Sequence, residues 1–127
     1  LTDEWKERGV KEGVEYAILT DEMTKAWSGM SVKEYKELKG LKKENLRDNM
    51  TDIELVLNML AEVTTTTLSK KERPETFDEN KTVARRGGKF AGETRERFEK
   101  EIGGKVISPL NANDKPALEV RRDEDED

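Results

Sequence analysis

Residues 83–97 read VARRGGKFAGETRER, and the three glycines in this stretch decide which fold we predict. The flanking residues favour helix, whereas each glycine in an exposed helix costs about 1 kcal/mol relative to alanine. Ala84, Gly88 and Gly92 recur every four residues with Ala91 beside them, so these small residues share one helical face. We therefore predict close packing of this face against another backbone, either the preceding long helix or the same helix in another subunit.

A hinge and a phosphate-binding loop are the alternatives for the same stretch. A nucleotide loop requires Gly-x-x-x-x-Gly-Lys-Ser/Thr after a strand. Here Gly88-Lys89 is followed by Phe90, and the flanking sequence is helical, which argues against a nucleotide loop. The hinge stays open as an alternative.

Capping signals predict where the helices begin and end. A hydroxyl residue followed three positions later by Glu is typical of a capping box, and Ser31, Thr51 and Thr76 each begin one. Thr20, which precedes Asp21 and Glu22, is a fourth candidate N-cap. We predict an all-α fold in which two long helices form a hairpin. The predicted long helices are about 51–69 and 76–102, and the short ones lie near 20–28, 31–39 and before residue 12.

The first long helix carries the clearest apolar stripe of the sequence. Its predicted core-facing residues are Ile53, Val56, Leu57, Leu60 and Val63, with Leu55 and Met59 widening the stripe. Asn58 lies at the edge of the stripe, which suggests a buried amide contact or a partly exposed one. The β-branched threonines at 64–67 are expected to fray the end of this helix.

The composition limits both the core and the chemistry. Of 127 residues, 32% are hydrophobic and 42% are charged, so we do not expect a thick core. The chain has no Cys and no His, which excludes disulfides, thiolate metal sites and histidine-based catalysis. Asp48, Asp52 and Glu54 are acids near a helix start, where acids are common without a metal. We predict no metal site, no cofactor and no enzymatic activity.

We expect a single domain over residues 1–118 and an acidic tail over 119–127. The tail, EVRRDEDED, has six acids and two bases and accounts for most of the net charge of −5. The segment KVIS at 105–108 is either a short strand or an apolar patch that docks on the helices. The charged start argues against a signal peptide, and the absence of an initiator Met predicts the C-terminal fragment of a longer protein. No apolar run approaches 18 residues, so we expect no membrane span, and the absence of Cys fits a cytoplasmic protein.

Positive charge is concentrated in two segments, residues 33–47 and 81–105. Residues 18–40 superficially resemble a helix-turn-helix whose second helix presents lysines at 33, 36 and 39, although the interleaved acids favour a structural hairpin. Solvated helix faces are one interpretation of these bases, and contact with phosphates or an acidic protein surface is the other. The candidate contacts are Lys42, Lys43, Arg85, Arg86 and Lys89.

Two stretches carry a resemblance to a known family: KAWSGMSVKEYKELKGLKKENLRDNMTDIELVLNMLAE at 25–62 and ENKTVARRGGKFAGETRERFEKEIGGKVIS at 79–108. The pattern is a W-S-G-x-S/T turn, then K-G-L-K-K-E-N-L-x-D-x-M-x-x-x-E-L-x-x-N, then a helix with E-N-K and G-G that ends in E-x-G-G. It resembles the C-terminal half of the DNA-damage-inducible protein D family over roughly residues 16–110.

This resemblance implies a function and an absent domain. The family region normally follows an N-terminal domain similar to phage and baculovirus repeated-ORF proteins. The resemblance implies a protein of the bacterial DNA-damage (SOS) response that associates with filaments of the recombinase RecA on single-stranded DNA and modulates recombination. An antirepressor-like DNA-binding regulator is the first alternative, and a helical oligomerisation module for the absent domain is the second.

Overall fold

The structure is a computed structural model that describes residues 1–110, and within this range it is all-α without strands, as predicted. The predicted domain boundary at 118 and the acidic tail lie outside the described residues. A short 3-10 turn, Arg47–Asn49, precedes the fourth helix. The helices are α1 (Thr2–Glu7), α2 (Val14–Ser28), α3 (Val32–Leu38), α4 (Asp52–Glu72) and α5 (Phe77–Ile102).

Three helices begin where the capping signals predicted. Capping boxes at Ser31, Thr51 and Thr76 start α3, α4 and α5, each with a Glu three residues on. Gly29 and Gly103 follow α2 and α5 with left-handed backbone, as glycines after helix ends commonly do. The two long helices pack against each other, which confirms the predicted hairpin.

The predicted start of α2 at Thr20 is wrong, because the helix begins six residues earlier at Val14. The N-terminal part of α2 packs on α1: Leu19 is completely buried, and the ring of Tyr16 lies 5.6 Å from that of Trp5. Tertiary contacts therefore extend the helix through Thr20, which is an interior residue rather than a cap.

The end of α4 is also later than predicted. Helix continues through the threonines at 64–67 to Glu72, since Thr65 and Ser69 are fully buried against neighbouring helices. Arg73 then adopts left-handed backbone (φ +52°) before Pro74, which disfavours a further helical residue. Packing thus outweighs the weak helix propensity of the threonines.

The predicted stripe of α4 is only partly correct, because Ile53 and Leu60 pack against the core as partly buried side chains. Only Leu57 of the five predicted core residues is buried, whereas Val56 and Val63 are 59% and 61% exposed. The buried face of α4 is instead largely polar or small, and its members are Glu54, Leu57, Asn58, Ala61, Thr65 and Ser69. Hydrophobicity alone therefore predicted only part of the buried face of this helix and missed its polar and small members.

Helix α5 lies between α2 and α4, and its small residues make this possible. A Cβ on Gly88 would lie 2.3 Å from the carbonyl oxygen of Met23, and one on Gly92 would lie 2.7 Å from that of Ala26, both in α2. A Cβ on Gly87 would lie 2.8 Å from Cα of Thr65 in α4. The backbone of α2, which was not among the two partners considered from the sequence, therefore occupies the face of Gly88 and Gly92.

Beyond α5 the chain folds back over the helices. Residues 105–108 form no strand, and Val106 is buried in the main core cluster, so this segment is a docked apolar patch. The Val106 amide donates to the Glu99 carboxylate at 3.0 Å. Among residues 1–110, none of the helices combines the length and the apolar character that crossing a membrane requires.

Candidate functional site

A buried polar network joins α3 to the first turn of α4. The ammonium of Lys39 lies 2.7 Å from the carboxylate of Glu54, and both side chains are 0% exposed. The hydroxyl of Tyr35, one turn before Lys39, donates to the other carboxylate oxygen. The Thr51 amide donates to Glu54 at 2.9 Å. Glu54, which completes the capping box of α4, is therefore also the acceptor at the centre of the network.

The same ammonium fixes the segment that follows α5. Lys39 Nζ donates to the backbone carbonyl of Ser108 at 2.9 Å and to that of Leu110. Together with Glu54, these acceptors use all three protons of the ammonium. A buried ion pair is tolerated when its remaining donors and acceptors are satisfied in this way.

Burial and the neighbouring Glu54 carboxylate raise the pKa of the Tyr35 hydroxyl well above its usual value. Tyr35 therefore remains a protonated donor at neutral pH. Although Tyr35, Lys39 and Glu54 are groups that can transfer protons, all three are sealed from solvent. Their arrangement can hold helices together but presents no atom to a dissolved substrate.

A second buried hydrogen bond ties α2 to α4. The Trp27 indole donates to Oδ1 of Asn58 at 3.2 Å, so the predicted buried amide contact exists. The ring of Trp27 also lies 6.0 Å from the ring of Tyr35, in a tilted arrangement typical of aromatic pairs. Trp27 thereby joins the core around α5 to the network around Glu54.

The structure places the five candidate bases in different environments. Arg85 pairs with Glu22 of α2 at 2.8 Å, and Arg86 pairs with Glu72 of α4 at 2.6 Å. Hydrogen bonds from these arginines lower the pKa of both glutamates. The two arginines thus link α5 to its neighbours on either side, while Lys89 of the same helix is exposed.

Lys42 and Lys43 lie in the turn after α3. Their backbone amides donate to the carboxylate of Glu44 at 3.2 and 3.1 Å, which shapes the turn and leaves both side chains exposed. Hydrogen bonds to its own backbone amide, and then to those of Lys42 and Lys43, lower the pKa of Glu44 and keep its carboxylate charged. The turn therefore presents two adjacent cations on a fixed backbone.

Lys42 also lines a groove between α2 and α3, which we call the α2–α3 groove. Its volume is about 610 Å³. The groove is lined by Ala17, Thr20, Asp21, Val32, Lys33, Lys36, Glu37, Leu41 and Lys42. Asp21 accepts a 2.8 Å hydrogen bond from the Val32 amide and so ties the two helices together. The groove combines apolar side chains with three lysines and can accept a chain segment that is apolar and acidic.

Lys39 corrects one expectation about this region. It was expected to share an exposed face with Lys33 and Lys36, but it is buried with Glu54. Of these three lysines only Lys33 and Lys36 line the groove, so α3 offers no continuous row of three cations to DNA. The spacing of Tyr35 and Lys39, four residues apart on one helical face, was the sequence signal for a buried lysine.

No metal site emerges from the acids considered in the sequence. Glu54 is occupied by Lys39, Tyr35 and Thr51. In the part of the chain that the structure describes, no group of three or more acidic side chains is arranged to hold a metal ion.

Comparison with models of protein families, with curated proteins and with solved structures finds no match to this chain. The resemblance to the DNA-damage-inducible protein D family therefore stays a prediction.

Proposed function

We propose that this chain is a non-enzymatic interaction module that binds RecA filaments on single-stranded DNA through the α2–α3 groove and the Lys42–Lys43 turn. The resemblance described above supplies the partner. The observation that carries the choice of surface is the way the resemblance pattern divides between buried and exposed residues.

Most distinctive side chains of the pattern are buried and hold the fold. Trp27 and Asn58 bond each other, and Lys39 and Glu54 form the buried ion pair. These residues have a sufficient structural reason to be in the pattern. They support a shared fold but do not indicate a binding surface.

Lys42 and Lys43 belong to the same pattern, but the packing of the fold does not account for their ammonium groups. Their side chains are exposed, and the turn is shaped by their backbone amides and Glu44 rather than by their ammonium groups. Exposed cations of this kind attract phosphates or acidic protein surfaces, both of which a recombinase filament on DNA can present. Lys33 and Lys36 extend the same positive rim along the groove.

The paired arginines favour this surface over the centre of α5. Arg85 and Arg86 already neutralise carboxylates of the same chain, so contact with phosphate would require these ion pairs to be exchanged. The lysines around the groove can bind a partner without that exchange. Binding at the groove also leaves the packed glycine face of α5 undisturbed.

The test is binding of the full chain to RecA filaments on single-stranded DNA, with bare single-stranded and duplex DNA measured alongside at two salt concentrations. Selective binding to the filament is the expected result. Equal binding to bare DNA that weakens steeply with salt would support the DNA-binding regulator instead. Absence of binding to all three ligands would overturn the proposal for this region.

A further inference from the structure

Residues 105–110 carry the chain from the end of α5 to the buried side of α3. Val106 is buried, and Lys39, directly after α3, donates to the carbonyls of Ser108 and Leu110. Leu110, the last described residue, therefore lies beside the end of α3, the helix that supplies Lys33 and Lys36 to the α2–α3 groove.

The sequence that follows matches the chemistry of this groove. Ala117, Leu118 and Val120 are apolar, and residues 123–127 are five consecutive acids, DEDED. The groove offers apolar side chains from Ala17, Val32 and Leu41 together with lysines at 33, 36 and 42. The groove also contains Asp21, whose carboxylate is bonded to the Val32 amide, and Glu37, so the lysines outnumber the acids.

We propose that residues 117–127 bind in the α2–α3 groove of their own chain, with the apolar residues on its apolar wall and the acids against its lysines. The consequence, that this segment competes with the filament, rests on the proposed function. The contact itself does not depend on it.

The connection is long enough to reach the groove. Seven residue steps separate Leu110 from Ala117 and span up to about 24 Å when extended. A helix with its side chains is about 10–12 Å across, so the chain can pass around α3. Tethering gives the segment an effective concentration in the millimolar range, which is sufficient for a weak electrostatic contact to form.

A spin label at the last residue tests the contact without any filament. Because the chain has no cysteine, Asp127→Cys gives a single labelling position in the full chain. The label should broaden the amide signals of α3 and of the Lys42 turn and leave those of Lys70 and Lys71 in α4 sharp. The broadening should disappear when Lys33, Lys36 and Lys42 are all changed to Glu. These side chains are exposed or half-exposed, and the same spectra show whether the variant is folded. Uniform weak broadening, or broadening that survives the lysine changes, would overturn the proposal.

Competition is tested with a full-length chain whose terminal acids are neutralised by Asp123→Asn, Glu124→Gln, Asp125→Asn, Glu126→Gln and Asp127→Asn. If the segment competes, this variant binds the filament about twofold more tightly, as expected when an effective concentration of millimolar order opposes a contact of similar dissociation constant. Unchanged affinity would overturn the competition. If neither chain binds filaments while the label still reports the contact, the proposed function fails and this inference stands.

Discussion

The contact between α2 and α5 and the junction between α3 and α4 are both fully buried, yet opposite kinds of residue build them. In the first, Gly88 and Gly92 leave no side chain, and the backbones approach until a Cβ would lie within 2.3 to 2.7 Å of a carbonyl oxygen. In the second, Lys39 and Glu54 bring opposite charges into the interior with no exposed surface. Small residues permit the first contact, and a satisfied charge pair forms the second.

The difference explains how a chain with 32% hydrophobic residues forms a closed helical fold. Close backbone approach gives many dispersion contacts, which offset the low helix propensity of glycine. Satisfied charges give a junction that fits one geometry, because each donor needs its own acceptor. The first contact is therefore sensitive to added volume, and the second is sensitive to loss of a partner.

The largest effect is expected from breaking the charged junction on one side. Lys39→Met should destabilise the protein by about 3–5 kcal/mol, because it leaves the Glu54 carboxylate buried without its cation. It also removes the donor to the carbonyls of Ser108 and Leu110. Urea unfolding followed by circular dichroism measures the change.

The matched double variant tests whether charge is the cause. Glu54→Gln removes the charge and keeps one acceptor oxygen for the Thr51 amide, while its NH2 group can donate to the Tyr35 hydroxyl. Lys39→Met together with Glu54→Gln should therefore be clearly more stable than Lys39→Met alone. If the two substitutions simply add, the junction is not a coupled ion pair.

A smaller but still large effect is expected from adding volume at the glycine contact. Gly88→Ala should destabilise by about 2 kcal/mol, because overpacking against the fixed carbonyl of Met23 exceeds the gain in helix propensity. Gly104→Ala is the control, since a Cβ there meets no atom within 4 Å. Thermal melting of both variants measures the contrast, and equal melting temperatures would contradict the close approach of α2 and α5.

The junction should also be sensitive to high pH. Since the pKa of Tyr35 is raised in the folded protein, its contribution is fully present below the unfolded pKa of about 10 and is lost as the pH rises above it. Tyr35→Phe lacks this contribution and should lose less stability between pH 9 and 11 than the unchanged protein. Urea unfolding across this range gives the change in the free energy of unfolding with pH for each protein. Equal changes in the two proteins would exclude a buried, protonated Tyr35.

The smallest effect is expected at the exposed ion pair of Arg86 and Glu72. Because Arg86 lowers the pKa of Glu72, the pair contributes above the ordinary Glu pKa, and its contribution is lost as the pH falls through the lowered value. Arg86→Ala should leave the melting temperature nearly unchanged at neutral pH, since exposed pairs contribute little. Between pH 7 and pH 3 the melting temperature of this variant should fall slightly less than that of the unchanged protein. A large loss of melting temperature at pH 7 would mean that the arginine has a structural role.

Local signals predicted the helices well and their buried faces less well. Capping boxes at Ser31, Thr51 and Thr76 act within four residues, so they can be recognised without knowing the fold. The buried face of α4 depends on its partners: Thr65 is buried because Gly87 leaves room for it, while no helix within residues 1–110 covers Val56.

The candidate site also contains residues whose environment the sequence indicates and residues whose environment depends on distant parts of the chain. Lys42 and Lys43 could be recognised from the sequence as exposed cations in a turn. Arg85 and Arg86 could not be recognised as ion-paired, because Glu22 is 63 positions away from Arg85, and Glu72 lies across the hairpin from Arg86. The burial of Lys39 also depends on a distant segment, residues 108–110.

The central claim is that the exposed lysines of the turn, and not positive charge in general, bind the filament. The most direct measurement compares the filament affinities of Lys42→Glu/Lys43→Glu and Lys70→Glu/Lys71→Glu, two pairs of adjacent exposed lysines with the same change in net charge. The first variant should bind on the order of tenfold more weakly than the unchanged chain, and the second should bind within about twofold of it. Equal weakening by both variants would contradict the claim, because it would mean that the filament responds to the overall charge rather than to this surface.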